Sequence, residues 1–170
     1  MIRSILWALA ILGVLLVLQS TLLGSVGLWG AKPQLLLLVF VVLATQNGSW
    51  ISQIVGFVLG FAIDAVTGGH FGFHMFQFAL AGYLFGLGSG KVYLDPLVLP
   101  ALLGLLATLY DTLSAFLLNT VFNLGQPVIA YFNLSLLVQC LFNVVLAPLV
   151  FLTYGWIKER FQNPRRGFGG

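Results

Sequence analysis

Apolar residues run through this chain in long, nearly unbroken blocks, divided by short polar or glycine-rich breaks. The blocks predict six helical spans, at 5–23, 33–46, 51–66, 73–87, 97–118 and 134–156. Between them lie a glycine-rich loop at 24–32, a tight Asn47-Gly48-Ser49 turn, a turn at 67–72, and polar loops at 88–96 and 119–127. The stretch 128–133 is expected to enter the membrane obliquely. The first block exceeds the apolar core of a signal peptide and is followed by more spans, so it reads as an uncleaved helix. Pro33 suits the first turn of the second span, where its missing N–H costs nothing. Trp29 and Trp50 suit the interface. The second and third spans are short, which fits little tilt or locally thinned lipid.

A second pattern lies inside the third span. Ser52, Gly56, Gly60, Asp64 and Gly68 recur every four positions and make one narrow face of a helix, which ends in a carboxylate. Gly82, Gly86 and Gly90 repeat the spacing in and after the fourth span, and Gly104, Ala107, Asp111 and Ala115 share a face of the fifth. Faces of this kind let two helix backbones approach closely in lipid.

Composition makes the membrane reading firm. Charged residues are 6% of the chain, against about 25% in a soluble domain, so it could not cover its own surface in water. The chain is therefore read as an all-α integral membrane protein, with a transmembrane domain at 1–157 and a basic tail at 158–170 that ends in disorder. The net charge of +3 is too small and too concentrated in the tail for nucleic-acid binding. Six spans put both termini on one side with Arg3, Lys91, Lys158, Arg160, Arg165 and Arg166, leaving Lys32 opposite, so the termini are expected in the cytoplasm.

Candidate chemistry is sparse. Asp64, Asp111, His70 and His74 fall at similar depth, towards the outer side, and invite a metal-site or proton-relay reading. The stronger reading of the two acids is structural: a carboxylate in an apolar helix needs donors, and Gln53, Tyr110, Asn119 and Asn143 are the candidates. Ser20, Ser114 and Cys140 show no nucleophile–base spacing, a lone cysteine forms no internal disulfide, and the run from Gly86 to Lys91 lacks P-loop spacing. No catalytic residue, metal or cofactor is expected.

The run Gly56-Phe-Val-Leu-Gly60-Phe-Ala-Ile-Asp64-Ala-Val-Thr-Gly68-Gly-His-Phe-Gly72, followed by Ala81-Gly82-Tyr83-Leu84, resembles the signature of the MreD family of rod shape-determining membrane proteins. Lys32-Pro33-Gln34 resembles the family's opening of helix two, although many members carry Asp where Gln34 stands. Leu109-Tyr110-Asp111 resembles its helix-five acid, and Asn143 with Pro148 its last helix. The histidines are not part of the pattern. The resemblance covers nearly the whole chain. It implies a non-enzymatic scaffold of cell-wall elongation that pairs with MreC and links MreB filaments, indirectly, to the RodA glycosyltransferase and its class B penicillin-binding transpeptidase. It also implies a bundle similar to the S-components of energy-coupling-factor transporters, with an outward cavity near Asp64 and Asp111.

Three readings follow. In the first, Ser52, Gly56, Gly60, Asp64, Gly68, Gly72, Gly82, Gly86, Asp111, Asn143 and Pro148 pack the chain's own helices or receive a partner's transmembrane helix. In the second, the protein is a transport subunit that binds a small molecule or lipid, since short, Gly-interrupted spans often mark binding sites. The third, an ion pathway through the two acids, ranks last because no chain of polar residues continues inward.

Overall fold

The computed structural model describes residues 9, 11–14, 16, 34–68, 70–90 and 98–162. Among them are five α-helices: α1 (Leu35–Asn47), α2 (Ser49–Thr67), α3 (Phe73–Gly86), α4 (Val98–Phe122) and α5 (Leu134–Gln162). A 3-10 turn (Val128–Ala130) precedes α5, residues 9, 11–14 and 16 are also helical, and no described residue is in a strand. Three stretches are long and apolar enough to cross a bilayer: Ser49–Thr67, Val98–Phe122 and Leu134–Gly155.

The bundle is arranged around α1. It is apolar on every side, as suits a helix enclosed either by protein or by lipid, and here other helices enclose it. Leu36, Leu37, Leu38, Phe40, Val41, Val42, Leu43 and Ala44 are all buried. The helix touches α2, α3, α4 and α5, and Leu12 of the N-terminal segment is fully buried in the same core. Phe40 meets Phe78 of α3 edge-on, with ring centroids 5.3 Å apart. At 13 residues α1 is roughly 20 Å long, short of the roughly 30 Å hydrocarbon layer. Its shortness needs no thinned lipid, because its partners are other helices. The expected short third span is, as α2, full length at 19 residues.

The reversals at 47–49 and 67–72 fall where the sequence places them, with tighter geometry. Only Gly48 separates α1 from α2, at φ 82 and ψ 164, a conformation that side-chain-bearing residues avoid. The expected loop at 119–127 starts late, because α4 continues through Phe122. Asn119, buried near the helix end, explains the extension: its Nδ2 donates to the Gln126 carbonyl (2.8 Å) and its Oδ1 accepts the Gln126 N–H (3.2 Å). α5 likewise runs past the expected end of the sixth span, to Gln162. Pro33, Gly69, the loop at 24–32, the charged part of the loop at 88–96 and the tail beyond 162 lie outside the described residues.

Candidate functional site

The four-residue repeat of α2 is filled by α3. Ser52, Gly56, Gly60 and Asp64 are buried, as are Gly82 and Gly86. A Cβ built on Gly56 would overlap the Phe78 carbonyl, one on Gly60 the His74 carbonyl, one on Gly82 the Ser52 carbonyl, and one on Gly86 the Ser49 backbone. Each step of four along α2 is met by a step of four back along α3, so the two helices run antiparallel with their backbones in contact. Ser52 adds a tie to α1 by donating from Oγ to the Ala44 carbonyl at 3.2 Å. Gly68 and Gly72 serve the turn. Both have open space where a Cβ would stand, but φ values of 62 and 95 that favour glycine.

Asp64 closes this hairpin. The residue at the N-cap of α3 is Gly72, which has no side chain to cap the helix. Asp64, from the end of the preceding helix, supplies the missing acceptor. Its Oδ2 accepts the N–H groups of Gly72 (2.8 Å) and Met75 (3.4 Å), and its Oδ1 accepts that of His74 (3.2 Å). These are among the backbone donors that a helix start leaves unpaired, and a carboxylate there also meets the positive end of the helix dipole. His74 Nδ1 stands 2.7 Å from Oδ1, so the imidazole proton facing the carboxylate is on Nδ1. The carboxylate is sealed, with its side chain 1% exposed, whereas the His74 side chain is 34% exposed.

Asp111 anchors a second junction, near the middle of α4. Gln34, just ahead of α1, donates from Nε2 to Oδ2 at 2.7 Å, and Gln77 of α3 donates from Nε2 to Oδ1 at 2.6 Å. The Gln34 amide is oriented in turn by Asn143 of α5, whose Oδ1 accepts the Gln34 N–H (3.3 Å) while its Nδ2 donates to Gln34 Oε1 (3.4 Å). Asn143 Nδ2 also donates to Thr108 Oγ1 (2.8 Å), and Thr108 donates to the Gly104 carbonyl. Tyr110 Oη donates to the Gln77 carbonyl at 2.8 Å. Side chains of α3, α4 and α5 thus meet at the N-terminal end of α1. Gly104 lets α5 close in, since a Cβ there would lie 2.7 Å from the Asn143 carbonyl oxygen and 2.8 Å from Ala147 Cβ. Pro148 follows Ala147 inside α5 and removes the N–H that would bond the Val144 carbonyl.

Neither acid takes a donor from the expected set. Tyr110 and Asn143 serve neighbours of Asp111, Asn119 pins its own loop, and Gln53 is exposed on α2. Gln34 and Gln77 lie 77 and 34 positions from Asp111 in the chain. Sequence marked Gln34 only as the residue standing where many family members carry Asp, and pointed to Gln77 only through the general need of a buried acid for donors. Asp64 and His74 come together, whereas His70 is exposed in the turn. Among the described residues no group of three or more His, Cys, Asp or Glu gathers to hold a metal, and every buried side-chain nitrogen or oxygen has a partner.

Asn143 is the residue of this junction whose loss is simplest to measure. Asn143→Ala leaves the Gln34 N–H without its acceptor and Gln34 Oε1 without its donor, while Thr108 keeps its bond to the Gly104 carbonyl, and is expected to cost about 1–3 kcal/mol per stranded group. Thermal unfolding of the purified protein in detergent should show it, while Gln53→Leu on the exposed face should leave the midpoint unchanged.

No curated protein and no solved structure matches the chain. A family model described as rod shape-determining protein MreD matches residues 1–156. That match spans the interlocked hairpin, its closing carboxylate and the junction at Asp111, and the described residues within it include three bilayer-length apolar helices. The protein therefore belongs to the MreD family of rod shape-determining membrane proteins.

Proposed function

We propose that this protein is a non-enzymatic scaffold of the cell-wall elongation complex that pairs with MreC. Through MreC it couples MreB filaments, indirectly, to the RodA glycosyltransferase and its transpeptidase. The observation that carries this reading is where the polar side chains go. Asp64, Asp111, Gln34, Gln77 and Asn143 bond to the backbone and side chains of neighbouring helices, which is how a rigid platform spends its polar groups. In this reading the chain crosses the cytoplasmic membrane six times, both termini are cytoplasmic, and the bundle is similar to an energy-coupling-factor S-component.

The reading also relocates the partner surface. α3 occupies the glycine face of α2, so MreC docks on an outward face. α5 offers one in Leu137, Leu141, Val145 and Leu149, each more than half exposed and spaced four apart. Co-purification from native membranes tests this. Wild-type protein should retain MreC, and Leu141→Trp or Val145→Trp should release it with the unfolding midpoint unchanged. A chain that sustains rod shape without ever retaining MreC would sink the pairing.

A further inference from the structure

The connection between α4 and α5 is apolar where a loop in water would be polar. Ile129 is 74% exposed, Val128 and Phe132 are exposed as well, and no charged residue falls between Asp111 and Lys158. Aromatic contacts fix the level of this segment. Phe116 of α4 meets Tyr131 edge-on with ring centroids 6.0 Å apart, and Phe132 at 5.6 Å. Phe116 stands six residues before Phe122, the end of α4, which is roughly 9 Å back along the helix. The chain therefore leaves α4, folds back and lies beside its last turns. At 25 residues α4 is roughly 37 Å long, against roughly 30 Å of hydrocarbon. Even if the whole excess of roughly 7 Å projects at this end, it is smaller than the setback of Phe116. The rings packed on Phe116 thus lie at the hydrocarbon edge or inside it, and helix tilt draws them further in.

We propose that the 3-10 turn (Val128–Ala130), with Phe132, is a lipid-binding surface that inserts Val128 and Ile129 among the acyl chains of one leaflet. The backbone suits a place poor in water, where polar groups must find partners within the chain. The Leu124 N–H donates to the Asn119 carbonyl and the Tyr131 N–H to the Val128 carbonyl, each at 3.0 Å, while the Asn119 side chain holds Gln126 through both its N–H and its carbonyl. Exposed Asn123, Gly125 and Gln126 suit headgroups, which keeps the segment at the boundary where interfacial elements lie. The exposed row Leu109, Leu113, Leu117 and Val121 of α4 runs up to the same level. Lipid fits better than a protein partner, because a stable protein interface needs about 800 Å² from each side and these few side chains supply a fraction of that. The proposal is independent of the pairing with MreC.

The test places a nitroxide label on Ile129→Cys in a Cys140→Ser background, with the purified full chain in phosphatidylcholine bilayers. Oxygen, which concentrates in hydrocarbon, and a water-soluble nickel chelate then compete to relax the label. The expected result is stronger relaxation by oxygen than by the chelate, as at a label on Leu113→Cys of the exposed α4 face. Val128→Cys gives a second position and should read the same way, with the unfolding midpoint of each labelled protein unchanged from its parent. Stronger relaxation by the chelate at either position puts the turn in water and overturns the proposal. So does protection from both reagents, because protein would then cover the turn, and in this preparation that protein is a second copy of the chain.

Discussion

Gly60→Leu is expected to leave little folded protein and to abolish rod shape in cells that depend on this chain. A Cβ at Gly60 would sit 2.5 Å from the His74 carbonyl carbon and 2.5 Å from Met75 Cα, and would overlap the His74 carbonyl oxygen. All three neighbours are backbone, so no side chain can rotate away. α2 and α3 would have to separate by roughly 1 Å, breaking the matched contacts at Gly56 and Gly82 as well. Overpacking of a rigid core costs about 1–3 kcal/mol. Gly60→Ala is therefore placed at about 3 kcal/mol, at the top of that range, and leucine beyond it. Two controls isolate the cause. Gly68→Ala meets no atom within 4 Å but strains φ 62, for about 1 kcal/mol. Gly155→Ala meets nothing within 4 Å inside a helix and should cost nothing, with helix propensity favouring it by about 0.5–1 kcal/mol. Unfolding midpoints in detergent should fall in that order, and equal responses at the three positions would refute the backbone-contact account.

The second large effect is expected at Asp64. Asp64→Ala removes the acceptor for the N–H groups of Gly72, His74 and Met75 and for the His74 ring, at a site closed to water. Losing an N-cap acceptor alone costs about 0.5–2 kcal/mol, and a stranded buried donor about 1–3 kcal/mol. A total of about 3 kcal/mol or more follows, enough to unlatch α3 from α2. Asp64→Asn keeps one acceptor oxygen and should retain part of the stability. His74→Ala removes one of the four donors and spares the backbone cap, so it should cost least. Amide exchange at Gly72, His74 and Met75 reads the latch directly. Slow exchange in the alanine variant at position 64 would show that another group caps the helix.

The two acids differ in how far their surroundings are written in the local sequence. The spacing of Ser52, Gly56, Gly60 and Asp64 announced a close-packing face, because a helix brings every fourth residue to one side whatever surrounds it. The same spacing did not reveal the occupant. The complementary glycines, Gly82 and Gly86, stood only a short turn away, so the hairpin was within reach of the sequence. The junction at Asp111 was not. Its donors, Gln34 and Gln77, come from distant parts of the chain, and isolated amides beside apolar runs are indistinguishable from interfacial residues until the helices are docked. The overrun of α4 had a similar cause: Asn119 resembles a loop residue, and only its bonds to Gln126 show it holding a helix end.

What the sequence determined by itself were the properties set by local periodicity and composition. These are the membrane as solvent, the approximate positions of the five described α-helices, the close-packing face of α2, and the signature that the family match later bore out. What only the tertiary structure decided was how non-local groups are shared. α1 is the buried centre of the bundle, α3 is what the glycine face holds, Asp64 caps a helix other than its own, and Asp111 gathers α3 and α4 with the start of α1. Periodicity is written along the chain and survives in any context. A hydrogen bond between residues far apart exists only when every helix between them has taken its place.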